Sequence, residues 1–210
     1  MKFNFFVPIT IIAGMVLLLG SCAVSHQPIS LSQVKLTDSI GFANYITITY
    51  SNDNILLLTS NTRAAKKAER KDLKFYPICI HNSGVDTFYI DNSRAEAFVD
   101  FEPAPIVEKP TYYKKVKQKP AYHLIGIGIA LIYYFPPSSH GFHFLPENPT
   151  GVYIPWAIYS MIKARKANKL LYSDFNKLDI FGKKVPPGES ISGIICVKTN
   201  KTGSLVIRFN

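Results

Sequence analysis

The sequence predicts an all-β sandwich that carries a partly helical insertion, and three observations lead to this prediction. Short stretches in which apolar and polar residues alternate, as strands require, recur from residue 43 to the carboxyl end. Turn-forming residues separate these stretches at close intervals, which is typical of antiparallel sheet proteins. Aromatic residues favour strands, and the chain has 12 Tyr and 14 Phe. The pattern is interrupted between about residues 103 and 172, where we place the insertion.

The first predicted element is a hairpin. Residues 45–50 alternate, with Ile46, Ile48 and Tyr50 on one face, and residues 51–54 form a strong turn signal. Residues 55–58 are predicted as the partner strand. The basic, Ala-rich residues 63–71 are predicted as a short exposed helix or a loop.

Strand patterns continue on both sides of the insertion. Residues 73–81 form the next predicted strand, and Pro77 within it indicates a sheet edge or a bulge. Residues 95–101 are also predicted as a strand. Towards the carboxyl end, predicted strands cover residues 177–181, 190–198 and 205–209, and the turn at residues 186–188 precedes the second of them.

The insertion contains a basic part, an apolar part and a helix. Its first part is rich in Pro and Lys, and residues 124–135 are apolar apart from two tyrosine hydroxyls. A helix is predicted from Pro155, because Pro is well tolerated at the first helical position. Five residues fall on one face of that helix, namely Ile154, Ala157, Ile158, Met161 and Ala164.

The amino terminus has the pattern of a secretory leader. Lys2 precedes an apolar run over residues 5–19, which is shorter than the ~20 residues that span a bilayer. The next residues, Leu19-Gly20-Ser21-Cys22, resemble the lipobox of bacterial lipoproteins. The resemblance implies a signal peptide over residues 1–21, a lipid on Cys22 and a lipidated tether over residues 22–42. It leaves residues 43–210 as the folded domain, and Ala23 after the cysteine favours the outer membrane. The tether lacks the acidic cluster of some surface-exported lipoproteins, which favours a domain in the periplasm.

Three segments of the domain resemble immunoglobulin-like domains of bacterial lipoproteins. They are residues 78–82, residues 88–91, and residues 185–193 with their Pro-Pro-Gly turn. The resemblance implies an immunoglobulin-like sandwich, and in such domains a disulfide can join the two sheets. Cys79 and Cys196 are the candidates for that bond. Whether they pair is left open, because Cys196 shares its strand face with Ser192 and Lys198 rather than with the apolar residues.

Motifs for catalysis or cofactor binding are not found in the sequence, so we predict a protein that is not an enzyme and has no cofactor. Gly126 and Gly128 are not followed by the helix that a phosphate loop needs. His140 and His143, near Glu147, lack the further ligands of a zinc site.

The predicted function is therefore structural or interactive, with the insertion as the contact surface. The net charge of +10 favours anionic partners, and export excludes nucleic acid. The candidate contacts to the membrane or to an envelope protein are Tyr112, Tyr113, Lys114, Lys115, Lys117, Lys119, Leu124, Ile125 and Ile127. For residues 124–135 taken alone, packing on the sandwich as a buried helix or strand is the favoured interpretation, and contact with the membrane or a partner is the alternative. An alternative is a ligand- or glycan-binding, enzyme-like protein that uses the aromatic residues Tyr112, Tyr113, Phe142 and Phe144.

Overall fold

The computed structural model describes residues 23–42, 45–122, 150–201 and 203–209. The chain divides into two compact units. The larger unit comprises residues 26–117 and 169–210, and the smaller one comprises residues 118–168 with the residues up to Ser25.

The larger unit contains antiparallel strands in three sheets. A four-stranded sheet has the order β1 (Asp38–Phe42), β2 (Ile46–Tyr50), β3 (Leu73–Asn82) and β8 (Ser190–Lys198). A three-stranded sheet has the order β6 (Glu102–Pro103), β5 (Ala95–Val99) and β9 (Leu205–Phe209). The short strands β4 (Phe88–Tyr89) and β7 (Lys184–Val185) pair with each other.

Four α-helices accompany the strands in the described ranges. They are α1 (Ile55–Leu58), α2 (Thr62–Glu69), α3 (Lys109–Val116) and α4 (Thr150–Leu178). Short 3-10 turns lie at Leu31–Gln33 and Asn92–Arg94.

Successive side chains of a strand point in opposite directions, and in β3 and β8 both sets include buried residues. In β8, Ile195 and Val197 belong to a core that also contains Ile207 of β9, between the two larger sheets. Ile194 and Cys196 belong to a second core, which contains apolar residues of all four helices. The unit is therefore layered, with helices on one face of the central sheet and the three-stranded sheet on the other.

The prediction of a sandwich-like, strand-rich fold is confirmed at this coarse level, whereas the helices contribute more than an all-β fold allows. Strand β8 has the predicted bounds, and β9 coincides with the predicted last strand. The turn before β8 contains Gly188 at a φ of 74°, a conformation that Gly adopts without steric cost.

The predicted partner of β2 was wrong. Residues 55–58 form α1, because the Asn54 side chain accepts a hydrogen bond from the Leu56 amide at 3.1 Å and caps the helix. The strands that flank β2 are instead β1 and β3. Residues 177–178 likewise end helix α4 and do not begin a strand.

Pro77 does not place β3 at an edge, since β3 lies between β2 and β8. The last register pair of β2 with β3 is Tyr50 with Ile78, and the Ser51 amide then donates to the Pro77 carbonyl. The amide and carbonyl of a strand residue point to the same side. The Pro77 nitrogen therefore faces the point where β2 ends. Proline has no N–H to donate, but the register of β2 with β3 has already ended at Tyr50 and Ile78, so no hydrogen bond between these strands is lost.

The domain boundaries differ from the predicted ones. Strand β1 begins at Asp38, inside the predicted tether of residues 22–42, and Ile29 is buried in the helical core. The predicted insertion at residues 103–172 is also too wide. Helix α3 and the end of α4 form part of the core of the larger unit, and the separate unit covers only residues 118–168 of that stretch.

Helix α4 was predicted correctly as a helix, but it begins at Thr150, before Pro155. Its buried residues follow a helical period, and they are Ala157, Ser160, Ala164, Ala167, Leu171 and Phe175. Ile158, which was placed on the same face, is 42% exposed, because it lies about 100° around the helix from Ala157.

Candidate interaction surface

The helices of the larger unit form a layer on the outer face of β3 and β8, and we call α2, α3 and residues 169–178 of α4 the helical layer. Small side chains let α2 approach the sheet closely, since Ala65 and Ala68 are its buried residues. Helices α3 and α4 pack through aromatic rings. The centroid of Tyr112 lies 5.1 Å from Phe75 of β3 and 5.0 Å from Phe175, both edge-on. Phe75 and Phe175 stack at 5.4 Å.

The outward side of the helical layer is basic. Ala65, Ala68, Tyr112 and Phe175 occupy the inner face of the layer. The long charged side chains of the same helices must therefore point to solvent. Seven exposed basic residues lie on the layer or directly after α2, and they are Lys66, Arg70, Lys71, Lys114, Lys115, Lys169 and Lys177. Leu170 and Tyr172 of α4 are also exposed, at 44% and 43%.

The positive charge of the chain is concentrated in its helical segments. Residues 62–71, 108–122 and 150–178 contain fifteen of the 24 basic residues and only three of the 14 acidic residues. From Cys22 onward, the rest of the chain has eight basic and eleven acidic residues. The strand-forming part is thus slightly acidic, and the helical segments account for the whole net positive charge.

The few carboxylates near the helical layer have internal partners or lie at helix ends. Asp179, just after α4, accepts from Lys109 Nζ at 2.8 Å. Glu108 precedes the first residue of α3, where the helix dipole favours a negative charge. Glu69 is exposed on α2.

The amino-terminal segment is docked on the helical layer by Asp174 of α4. His26 Nε2 lies 2.7 Å from Asp174 Oδ2, and the Ile29 amide donates to the same oxygen at 2.9 Å. The His26 side chain is 4% exposed and that of Asp174 is 17% exposed. A partly buried carboxylate requires such partners, because desolvation penalises an unpaired charge.

Asn61, the residue before α2, provides a second attachment for the same segment. The Gln27 amide donates to Asn61 Oδ1 at 3.1 Å, and Asn61 Nδ2 donates to the Gln27 carbonyl at 2.8 Å. This reciprocal pair fixes the backbone at one point, and the burial of Ile29 fixes it two residues later. Residues 26–29 are therefore an ordered part of the larger unit.

Within the smaller unit, Gln118 makes a comparable set of bonds. Its side-chain amide donates to the Val24 carbonyl at 2.7 Å. Its backbone amide donates to Asn168 Oδ1 at 2.7 Å, and Asn168 Nδ2 returns a bond to the Gln118 carbonyl at 2.9 Å. The residues next to Cys22 thus have defined contacts too.

The structure divides the predicted contact residues into packing residues and surface residues. Tyr112 belongs to the core and was wrongly placed on the surface, and its burial raises the pKa of its hydroxyl. Tyr113 is half-buried and its ring lies 4.9 Å from that of Tyr172. Lys114 and Lys115 are exposed.

The remaining contact candidates fall in two groups. Lys117 Nζ lies 5.8 Å from the Tyr113 ring, and Lys119 Nζ lies 5.3 Å from the ring of exposed Tyr122. Both are cation–π geometries. Cys22, Leu124, Ile125 and Ile127 lie outside the described residues.

The two internal cysteines do not form the disulfide that the sequence left open. Cys79 lies opposite Ser192 in the register of β3 with β8, and Cys196 lies opposite Phe75. They are thus four register positions apart along neighbouring strands, about 13 Å at the usual rise of a strand and too far for a disulfide. Burial raises the pKa of the Cys196 thiol, whereas Cys79 is partly exposed.

The alternative ligand site loses two of its four aromatic residues, because Tyr112 and Tyr113 pack within the larger unit. Phe142 and Phe144 lie outside the described residues, as do His140, His143 and Glu147. In the ranges that are described, His, Cys, Asp and Glu side chains do not gather into a group able to hold a metal ion. A groove lined by residues 95–98 and 103–106 is open, and Glu96 is its one charged residue.

Sequence reasoning missed the docking of the amino-terminal segment, although α4 contains one signal for it. Asp174 lies between Leu171 and Phe175, close to the inward face of the helix. An acidic residue at such a position requires a partner. Its partner, His26, stands in a segment whose polar composition resembled a free tether.

Comparisons with protein-family models, with curated proteins and with solved structures found no match. Among the helices in the described ranges, none combines the length and the apolar character needed to cross a membrane.

Proposed function

We propose that this protein is a lipid-anchored, non-catalytic module of the bacterial cell envelope, whose contact surface is the helical layer. In this proposal the lipid is attached to Cys22, the anchor lies in the outer membrane, and the folded part lies in the periplasm. The lipobox pattern at residues 19–22 supports the anchor.

The uneven distribution of charge is the observation that carries this proposal. Exposed basic residues on three neighbouring helical segments create a positive potential on one layer, while the strand-forming part carries a small excess of acid. Such a field attracts anionic surfaces and repels cationic ones. The partner is therefore acidic, and it approaches from the helical side.

The sandwich then serves as the scaffold, and we propose that it is immunoglobulin-like. Two antiparallel sheets face each other across an apolar core, and the Pro-Pro-Gly turn precedes β8 as in the resemblance described above. The helical layer covers the outer face of one sheet, which an immunoglobulin domain leaves to solvent. The helices of this layer carry the basic surface, and the sheet beneath them holds it in place.

The anchor is tested by replacing Cys22→Ser in the full chain and measuring the intact mass of the protein and its distribution between membrane and soluble fractions. The natural chain should carry the mass of attached acyl chains and remain with the membranes after alkaline washing. The Cys22→Ser chain should lack that mass. The matched control is Cys79→Ser, which should behave as the natural chain does. A natural chain without acyl mass would refute the proposal.

A further inference from the structure

We infer that residues 22–26 form a short stalk that holds the basic helical layer against the anionic lipid headgroups around the anchor. This inference rests on the proposed function, and it names an anionic lipid surface as the partner of the helical layer. Its basis is the length of chain between the lipidation site and His26, the first residue that is attached to the larger unit.

The stalk is short because attachment to the larger unit begins at His26. His26 stands four positions after Cys22, so even a fully extended chain spans at most ~14 Å between them. A free tether over residues 22–42 would instead span up to about 70 Å. The contacts of His26 and Gln27 with Asp174 and Asn61 remove most of that reach.

This length matters because electrostatic attraction to a surface is short-ranged in salt. The Debye length at physiological ionic strength is about 8 Å. A stalk of ~14 Å keeps its attachment point at Asp174 within one or two such lengths of the headgroups, whereas a tether of about 70 Å would let the helical layer leave the field. The lipid therefore keeps the basic residues where they contribute to binding.

The composition of the outward side suits a membrane surface. Basic residues near an anionic leaflet each strengthen binding by roughly fivefold. Between Lys169 and Lys177, the exposed Leu170 and Tyr172 add apolar and aromatic groups, which favour the interfacial region. An acidic protein would be attracted by the same charges, but it would not require the stalk to be short.

The orientation is tested with the natural lipidated protein in vesicles of phosphatidylcholine and phosphatidylglycerol, in a Cys79→Ser background. The lipid blocks the Cys22 thiol and burial protects Cys196, so a fluorescent label attaches to one introduced cysteine. Lys114→Cys places it on the helical layer, and Glu96→Cys places it on the exposed face of the three-stranded sheet. A spin-labelled headgroup lipid then quenches whichever label lies near the membrane.

The stalk predicts that the label at position 114 is quenched at least threefold more than the label at position 96. A second chain with a 20-residue Gly-Ser linker between Cys22 and Ala23 keeps every docking contact but lengthens the stalk by about 25 Å. In 0.5 M NaCl this chain should lose the difference between the two labels, while the natural chain should retain it.

Equal quenching of the two labels in the natural chain, or stronger quenching at position 96, would overturn the inference. If the linker chain still shows stronger quenching at position 114 than at position 96 in 0.5 M NaCl, the short stalk does not determine the orientation. The intact mass of the protein, which shows whether Cys22 is lipidated, distinguishes a failure of this inference from a failure of the proposed function. Lipid on Cys22 with equal quenching refutes the stalk alone, and the absence of lipid refutes the anchor.

Discussion

Phe175 links the end of α4 to the sheet. It is fully buried and its ring contacts Phe75 and Tyr112, so its removal would leave a cavity among three elements. We predict that Phe175→Ala lowers the free energy of unfolding by about 3–5 kcal/mol. The next residue, Asn176, is exposed, and Asn176→Ala should change it by less than about 0.5 kcal/mol. Chemical denaturation measures both, and equal effects would argue against this packing.

Asp174 is the residue that docks the amino-terminal segment. Asp174→Ala would leave the His26 ring and the Ile29 amide without their shared acceptor. We predict that the Ile29 amide then exchanges its hydrogen at least tenfold faster, while the amides paired between β3 and β8 keep their protection. Exposed Asp86 is the control site, and Asp86→Ala should leave exchange at Ile29 unchanged. If hydrogen exchange at the Ile29 amide is unchanged in Asp174→Ala, contacts other than those with Asp174 hold the amino-terminal segment.

Tyr76 makes stability depend on alkaline pH. Burial raises the pKa of its hydroxyl from 10.0 to about 12. A raised pKa in the folded state gives stability that is present below pH 10 and is lost as the pH rises towards 12. Between pH 8 and pH 11 the natural chain should therefore lose about 1.4 kcal/mol more than the Tyr76→Phe chain. Denaturation at the two pH values measures this difference, and identical losses would contradict the assignment.

At the scale of elements, Gly193 controls how the segment after α4 meets β8. A Cβ atom at Gly193 would lie 2.0 Å from Ile180 Cγ2 and 2.3 Å from the Leu178 carbonyl oxygen. We predict that Gly193→Ala lowers the free energy of unfolding by about 1–3 kcal/mol, because the segment must move away from the strand. Gly41 of β1 has open space at the same place, so Gly41→Ala should be nearly neutral. Thermal or chemical denaturation of both chains provides the comparison.

The elements that were predicted correctly are those in which the alternation of apolar residues along the chain matches their burial in the fold. Strand β9 alternates clearly, and its buried residues face a single core. The alternation in β8 was equally clear, yet it suggested that Ile194 and Cys196 face solvent. The helical layer covers them instead, and a strand pattern does not reveal a cover that is supplied by helices elsewhere in the chain.

Residues 55–58 show a different limit of sequence reasoning. Four consecutive apolar residues fit a buried strand or a buried helix equally well. The Asn54 cap decides for the helix, and Ile55 and Leu56 then become part of the helical core. The same reasoning explains Tyr112, since aromatic residues beside lysines resemble a membrane contact until the helix that carries them is seen to pack on the sheet.

At the scale of the whole molecule, three features act together in the function that we propose. The predicted lipid at Cys22 provides attachment, the docked residues 26–29 limit the reach, and the basic helical layer provides attraction. The candidate lysines at positions 114 and 115 followed from the sequence. Their neighbours on α2 and α4 did not, because only the fold brings residues 66–71, 114–115 and 169–177 to one layer.

The central claim, that the helical layer is the surface that meets an anionic partner, is tested most directly by two charge reversals of equal size. The chain from residue 22 with Cys22→Ser, which bears no lipid, is mixed with phosphatidylglycerol-containing vesicles, and the bound fraction is measured by flotation. Lys66→Glu with Lys114→Glu should weaken binding at least tenfold. Lys184→Glu with Arg208→Glu, outside the helical layer, should weaken it no more than about threefold, through net charge alone. Equal weakening by the two pairs would contradict the claim.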